Sequence, residues 1–116
     1  MSLYEYRARV SRVVDGDTVD LDIDLGLRVT SRQRCRLFGL NAPEVRGSER
    51  EAGLLATDWL LTRLKEVEDE DGLITISTHK DKRGKYGRYL VTLFDESGAP
   101  INAQMIDAGH AIVANY

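Results

Sequence analysis

Three charged residues stand beside apolar segments of the chain, at places where each could take part in chemistry. Arg36 lies inside an otherwise apolar segment. Its guanidinium is either an outward group in a surface ion pair or a planar fork at a barrel mouth, suited to phosphate oxygens. Glu44 follows Pro43, which fixes the backbone as the chain leaves that segment, and Arg88 directly precedes another apolar segment. Each residue alone is typical of a solvated surface, so a functional interpretation depends on the three being brought together.

The run Asp15-Gly16-Asp17-Thr18 is a second candidate, because a glycine between two carboxylates allows a tight turn. Taken alone, the run is more typical of a turn than of a metal site. Asp17, however, shares the alternation of the inward residues of the segment that follows. An inward charge is costly without a cation or a hydrogen-bond donor beside it. Asp17 is therefore the carboxylate of this run with the stronger case for a ligand role.

Strands must position these residues, and alternation of apolar and polar residues predicts them over residues 4–10, 18–25 and 33–40. The second strand has the cleanest pattern, in which Val19, Leu21 and Ile23 alternate with Asp20, Asp22 and Asp24. Side chains of a strand point alternately to its two faces. We therefore expect the three aspartates to face water on the outer side, with a turn at Gly26 after the strand.

Helical signals follow the third strand. Ser48 and Glu51 have the spacing of a capping box, and apolar residues at helical spacing predict a helix from there to about Val67. Strands are predicted over residues 73–78 and 89–94, with a basic loop between them. Asn102 is suited to cap a short helix that stops at Gly109.

This order of elements predicts the fold class. Three strands, a helix, two strands and a short helix is the order of an α+β protein built as a five-stranded OB-fold barrel. One helix lies between strands 3 and 4, and the short helix follows strand 5. At 116 residues the chain has the length of one compact domain, so we expect residues 1–116 to form a single unit.

Composition narrows the class further. The chain is 42% hydrophobic and 30% charged, and no apolar run reaches membrane length, so we expect no membrane association. Cys35 is the only cysteine, which excludes an internal disulfide and a cysteine zinc site. The amino end lacks the features of a secretory signal. A cytoplasmic location is the default expectation, with secretion of a processed form left open.

Positive charge is concentrated in one stretch, although the formal net charge of the chain is −3. The negative total argues against a general basic surface for nucleic acid. Residues 79–88, in contrast, hold one acidic residue, Asp81, against five basic residues: Lys80, Lys82, Arg83, Lys85 and Arg88.

Taken together, residues 15–18, 36–44 and 85–88 resemble, in matching order, the motifs of the staphylococcal nuclease (thermonuclease) family; Asn102 and Gly109 also fit. The resemblance implies an OB-fold enzyme that uses Ca²⁺ to hydrolyse phosphodiester bonds of DNA and RNA, leaving 3′-phosphate and 5′-hydroxyl ends. It assigns catalysis to Arg36, Glu44 and Arg88, metal binding to Asp17, Asn41 and the main-chain carbonyl of Ala42, and contact with a terminal phosphate to Lys85 and Tyr86. The implied partner is nucleic acid, and a monomer is expected.

The physical logic of hydrolysis agrees with these assignments. A carboxylate such as Glu44 can orient the attacking water and accept its proton, while two arginines neutralise charge on the equatorial phosphate oxygens. Asn41 departs from the family, whose best-known members have an aspartate there. Because calcium affinity depends partly on ligand charge, we predict weaker calcium binding with Asn41 than with aspartate. Asn115 lies near the position of a family tyrosine that helps to hold phosphate.

Two other functions remain open on the sequence. One is a catalytically weak or inactive module of the same fold that binds nucleic acid or protein. The substitution at Asn41 favours it, and the retained arginines and glutamate oppose it. The other is an oligosaccharide-binding OB module, which needs exposed aromatic residues along the barrel face. Most of the aromatic residues fall at predicted core or site positions, so this alternative ranks last.

Overall fold

Strands dominate the structure, a computed structural model that describes residues 4–83 and 88–114, with the backbone alone for residues 80–83. Its strands are β1 (Glu5–Asp15), β2 (Thr18–Asp24), β3 (Thr30–Leu37), β4 (Leu40–Asn41), β5 (Ile74–Arg83), β6 (Tyr89–Leu93) and β7 (Ile112–Val113). Its helices are α1 (Arg50–Val67) and α2 (Ile101–Asp107), and a 3-10 turn, Gly47–Glu49, precedes α1. No helix of the described residues has both the length and the apolar character needed to cross a membrane.

Five of the strands close a barrel in the order β1-β2-β3-β6-β5. Four of the pairings are antiparallel, and β3 runs parallel to β6. Helix α1 connects the third and fourth barrel strands along the chain, and α2 follows the fifth. The predicted α+β barrel with OB-fold connectivity is confirmed. That residues 1–116 form one domain stays a prediction.

The alternation in β2 has the predicted effect. Val19, Leu21 and Ile23 are buried, whereas the aspartates between them lie on the outer face. Helix α1 adds a stripe of buried residues against the barrel: Ala56, Leu60, Leu64 and Val67. Full burial of a large aliphatic side chain stabilises a fold by about 1.5–3 kcal/mol, so this shared core holds the strand ends and α1 in fixed relation.

Both predicted caps are wrong. Ser48 lies inside the 3-10 turn, so α1 begins later than the capping box requires, after Glu49 and without a side-chain cap. Asn102 lies inside α2, whose N-cap is Pro100. The polar side chain of Asn102 is buried, where a hydrogen-bond partner is worth more than at a solvated helix end.

Asn102 joins α2 to two barrel strands. Its Oδ1 accepts from the Leu93 amide at 3.0 Å, and its Nδ2 donates to the carbonyls of Phe38 at 3.0 Å and Val91 at 3.1 Å. These bonds satisfy main-chain groups next to the parallel β3–β6 pairing. Helix α2 therefore packs across the place where the barrel closes, and the chain turns at Gly109, as predicted.

Two features near the site differ from the prediction. The basic stretch is predicted as a loop, but its first part continues β5 to Arg83, which pairs with Tyr89 of β6 after a shift in register beyond Thr78. Residues 84–87 of that stretch lie outside the described residues. The pair β4–β7 was not predicted; it joins Leu40 to Val113 and Asn41 to Ile112. This pair brings the chain after α2 alongside the segment that carries Asn41.

Candidate active site

The start of β2, the end of β3 and the segments after β4 and α2 enclose a cleft of about 640 Å³. Its lining includes six of the eight residues singled out from the sequence: Asp17, Arg36, Asn41, Ala42, Glu44 and Arg88. The other two, Lys85 and Tyr86, lie outside the described residues. Residues from both sides of α1 in the sequence thus meet at one place.

Asp17 is the buried negative charge of the cleft, and its carboxylate has several partners. Oδ2 accepts from the Ala42 amide at 3.1 Å and lies 3.3 Å from Arg36 Nη2, while Oδ1 accepts from the Thr18 hydroxyl at 3.0 Å. The main-chain carbonyl of Asp17 accepts from the Leu37 amide at 2.8 Å, which fixes the residue against the end of β3. Burial of this charge is therefore compensated by donors from three segments.

For Arg36 the sequence left open two interpretations, a surface ion pair and a fork at the barrel mouth, and the structure has elements of both. In the barrel it pairs with Thr18 of β2 and Leu90 of β6, and its side chain is only 11% exposed. Its guanidinium is in an ion pair, but with Asp17 inside the cleft, and Nη2 also donates to Asn41 Oδ1. The side chain is therefore held at a fixed position in the lining of the cleft, where its guanidinium contacts the side-chain oxygens of Asp17 and Asn41.

Arg88 also lines the cleft, from the β6 side of the pairing between β3 and β6. It directly precedes β6, and its Nη1 donates to the Thr18 hydroxyl at 3.4 Å. Thr18 is buried and also donates to Asp17, so one hydroxyl connects the second arginine with the buried carboxylate. The sequence interpretation named Thr18 as part of a motif and gave it no role, because its place opposite Arg36 depends on how β2 and β3 align.

Glu44 is the water-facing acid of the cleft. Its side chain is 64% exposed, and its Oε2 lies 3.8 Å from Arg46 Nε. The backbone of Glu44 packs tightly against α1, because a Cβ added to Gly53 would lie 2.0 Å from the Glu44 carbonyl oxygen. A fixed backbone with a solvated carboxylate suits a group that positions water or takes a proton from it.

Asp15 also lines the cleft and was given no role in the sequence interpretation. Burial, followed by the negative charges of Asp17 and Glu44, raises the pKa of Asp15. The signal was present in the sequence, because Asp15 and Asp17 flank one glycine. Asp15, Asp17 and Glu44 are thus three carboxylates of the cleft lining close enough for their charges to interact.

His110 is a further residue of the lining that the sequence interpretation did not single out. Its ring lies 5.8 Å from that of Trp59 on α1, at a tilted angle. The signal for it was its position directly after the turn at Gly109. The contact places an aromatic ring at the edge of the cleft.

The residues that the resemblance assigns to calcium offer oxygen donors of the type that this cation prefers: the Asp17 carboxylate, the Asn41 amide oxygen and the Ala42 carbonyl. Across residues 4–83 and 88–114, no three His, Cys, Asp or Glu side chains are grouped so that they could hold a metal ion. A calcium site here would depend on one buried carboxylate and neutral oxygens. The donors fit calcium in kind, with little ligand charge.

Comparison with known proteins decides the family. A sequence model of the family described as staphylococcal nuclease homologue matches residues 34–116. The chain belongs to the staphylococcal nuclease family. The matched region begins in β3 and includes Arg36, Glu44 and Arg88. Membership of the staphylococcal nuclease family supports a nuclease-like function and nucleic acid as the substrate class.

A curated relative points the same way. The chain is 30% identical over 115 residues to a protein named endonuclease YhcR from Bacillus subtilis (strain 168). The alignment covers 92% of this chain and 9% of that protein, so the chain corresponds to a small part of its relative. Members of the staphylococcal nuclease family are in general calcium-dependent.

Proposed function

We propose that the chain is a calcium-dependent phosphodiesterase that hydrolyses DNA or RNA to 3′-phosphate and 5′-hydroxyl ends. One observation supports this proposal most directly. Arg36 on β3 and Arg88 directly before β6 converge through Asp17 and Thr18 on a cleft that Glu44 enters from the solvent side. Two fixed cations and one solvated carboxylate are the groups that attack of water on a phosphodiester requires.

Each group has a defined part in the proposed reaction. Glu44 orients a water molecule and accepts its proton as the water oxygen bonds to phosphorus. Arg36 and Arg88 donate to the equatorial phosphate oxygens, whose negative charge increases in the transition state. The bond from phosphorus to the 5′ oxygen breaks, so the phosphate stays on the 3′ side. The 5′ oxygen leaves as a hydroxyl after taking up a proton from solvent, and Glu44 releases to solvent the proton that it accepted.

Calcium would be held by Asp17, Asn41 and the Ala42 carbonyl, and when bound it supplies a Lewis acid that polarises a phosphate oxygen. Asp15 adds negative charge beside these ligands. Ion pairing with Asp17 also keeps Arg36 inside the cleft, where a flexible cation would need to be ordered at each turnover.

Digestion of single-stranded DNA tests the proposal. The unmodified chain is incubated with calcium or with a chelator, beside Glu44→Gln, and the ends of the products are analysed. We expect the unmodified chain to cleave the DNA only when calcium is present. Glu44→Gln should lower kcat by about 10²–10⁴-fold, because one proton-transferring group is removed. Glu96→Gln, an exposed change in the turn after β6, is the matched control and should cleave normally.

The second candidate is a binding module without useful hydrolysis. It is favoured by Asn41, whose neutral amide accepts from Arg36 where a carboxylate would offer calcium a charged ligand. The same digestion separates the two candidates. Absence of cleavage with calcium, combined with binding of the oligonucleotide, would favour the binding module, whereas equal cleavage in all arms would identify a contaminating nuclease.

A further inference from the structure

The outer face of β1, β2 and β3 carries two rows of opposite charges that run across the strands. In one row Arg12 pairs with Asp20, which pairs with Arg34; in the other, Arg9 pairs with Asp22, which pairs with Arg32. We call the four arginines of these rows the arginine face. None of them lines the cleft, so they are not explained by the proposed chemistry.

We propose that the arginine face binds the phosphate backbone of the nucleic-acid strand where that strand leaves the cleft. The inference rests on the proposed function and extends it from the reacting phosphate to its neighbours along the strand. The partner is a single polyanionic strand, recognised through its phosphates and not through its bases.

Two arginines of the face are held in position by aspartates. Arg34 donates to Asp20 from Nε at 2.7 Å and from Nη2 at 3.0 Å, and Arg32 donates to Asp22 at 2.7 and 3.3 Å. The side chains of Arg32 and Arg34 are nevertheless 75% and 48% exposed. A guanidinium bound in this way uses one edge and keeps the N–H groups of Nη1 for another acceptor. The aspartates therefore orient the two arginines without occupying them.

The two rows carry more positive than negative charge, with four arginines against two aspartates. Arg12 is exposed and forms no hydrogen bond or ion pair with the described residues, and Arg9 donates to a neutral carbonyl, that of Asp71. A local positive surface on a chain of net charge −3 is a specific arrangement. A local positive surface of this kind attracts a polyanion such as a nucleic-acid strand.

Strand geometry connects the face with the cleft. Arg32, Arg34 and Arg36 are alternate residues of β3, so they leave the strand on the same side at steps of about 6.6 Å. Arg36 is the last of this row and is part of the cleft lining. A strand whose phosphate lies at Arg36 can therefore continue over Arg34 and Arg32. Asp24, on the same side of β2, bounds the face at its far end.

Binding without cleavage tests the inference. Fluorescence anisotropy is measured for a labelled oligothymidylate of about twelve nucleotides and for a labelled thymidine mononucleotide, in the Glu44→Gln background with calcium chelated. Two changes reduce the arginine face, and together they form the combined face variant: Arg12→Gln, and the pair Arg32→Gln with Asp22→Asn, which leaves the net charge unchanged. Arg9 and Arg34 remain. Lys65→Gln, an exposed change on α1, is the control for loss of one positive charge.

We expect the combined face variant to weaken binding of the longer oligonucleotide about tenfold and to reduce the steepness of its salt dependence by about 0.7 per lost phosphate contact. The mononucleotide, which is too short to reach from Arg36 to Arg32, should bind the variant within twofold of its affinity for the parent. Near-ultraviolet circular dichroism of Trp59 checks that the variants are folded.

Two results would overturn the inference. One is affinity and salt dependence equal to those of Lys65→Gln. The other is equal weakening of both probes, because the arginines would then act on the cleft. The proposed function is tested separately by digestion. Cleavage with no effect of the face removes only the inference, whereas binding that depends on the face without cleavage removes only the proposed hydrolysis.

Discussion

At the scale of single residues, Asp15 shows how the cleft balances its charges. Its pKa is raised by burial and by the nearby carboxylates Asp17 and Glu44. A carboxyl whose pKa is higher in the folded chain than in the unfolded chain favours folding in its neutral form. Its contribution is complete below the unfolded pKa, about 3.9, and is lost as pH rises through the folded pKa.

We therefore predict that Asp15→Asn raises the thermal midpoint at pH 7 and leaves it unchanged near pH 3, where both side chains are neutral. Thermal unfolding followed across this range in calcium-free buffer measures the difference. Asp58→Asn, an exposed change on α1, should follow the parent at every pH. A difference between Asp15→Asn and the parent that stays constant with pH would contradict the electrostatic explanation.

The residues of the cleft were predictable where their signal was a motif. Asp17, Arg36 and Glu44 lie in runs whose residue types are unusual for their surroundings, and the structure brings them into one cleft. The ion pair between Arg36 and Asp17 was not predictable, because it depends on how β2 and β3 align. Thr18 was missed since Arg88, its partner, comes from a distant part of the chain, whereas Asp15 was missed although it flanks the same glycine as Asp17.

At the scale of elements, the contact between α1 and the Glu44 segment controls the position of the proposed catalytic acid. Gly53 is buried there, and any side chain would meet the Glu44 backbone. Alanine at a helix interior ordinarily gains about 1 kcal/mol over glycine. At this contact, overpacking should outweigh that gain, with a typical penalty of about 1–3 kcal/mol.

We predict that Gly53→Ala lowers the free energy of unfolding and reduces DNA cleavage, although the catalytic side chains are unchanged. Urea denaturation and the digestion assay measure the two effects. Ala52→Gly at the neighbouring exposed position is the matched control, which should lose about 1 kcal/mol of stability and keep its activity. A Gly53→Ala protein that is both more stable and fully active would show that the contact has no such role.

Elements with a repeating pattern were predicted well, and short or polar ones were not. The alternation in β2 and the apolar stripe of α1 predicted these two elements correctly, because each element buries one face against the core. The strands β4 and β7 have two residues each, too few for any alternation. Asn102 has the residue type of a helix cap, but three buried main-chain partners determine its position instead.

At the scale of the whole molecule, the proposed calcium binding should raise the free energy of unfolding. A ligand that binds only the folded chain stabilises it by about 2.7 kcal/mol when its concentration is a hundredfold above Kd. We predict that calcium raises the thermal midpoint of the parent, and that Asn41→Asp shows a larger rise at the same calcium concentration because it adds a charged ligand. Asp17→Asn should show none.

Differential scanning fluorimetry over a calcium series measures these shifts without requiring catalysis. The shift on adding calcium is compared within each variant, so that a change in intrinsic stability cancels. An equal shift for Asn41→Asp and the parent would mean that the charge at position 41 does not limit calcium affinity.

The parallel pairing of β3 with β6 has a consequence for the order of folding events. Arg36 lies near the end of β3 and Arg88 directly before β6, so both flank the seam of the barrel, although α1 separates them along the chain. Pairings between distant segments form later than local hairpins such as β1–β2. Refolding chains should therefore recover the proposed hydrolysis only when the seam closes, after most secondary structure is present. During synthesis, likewise, the two arginines cannot act together before β6 has emerged.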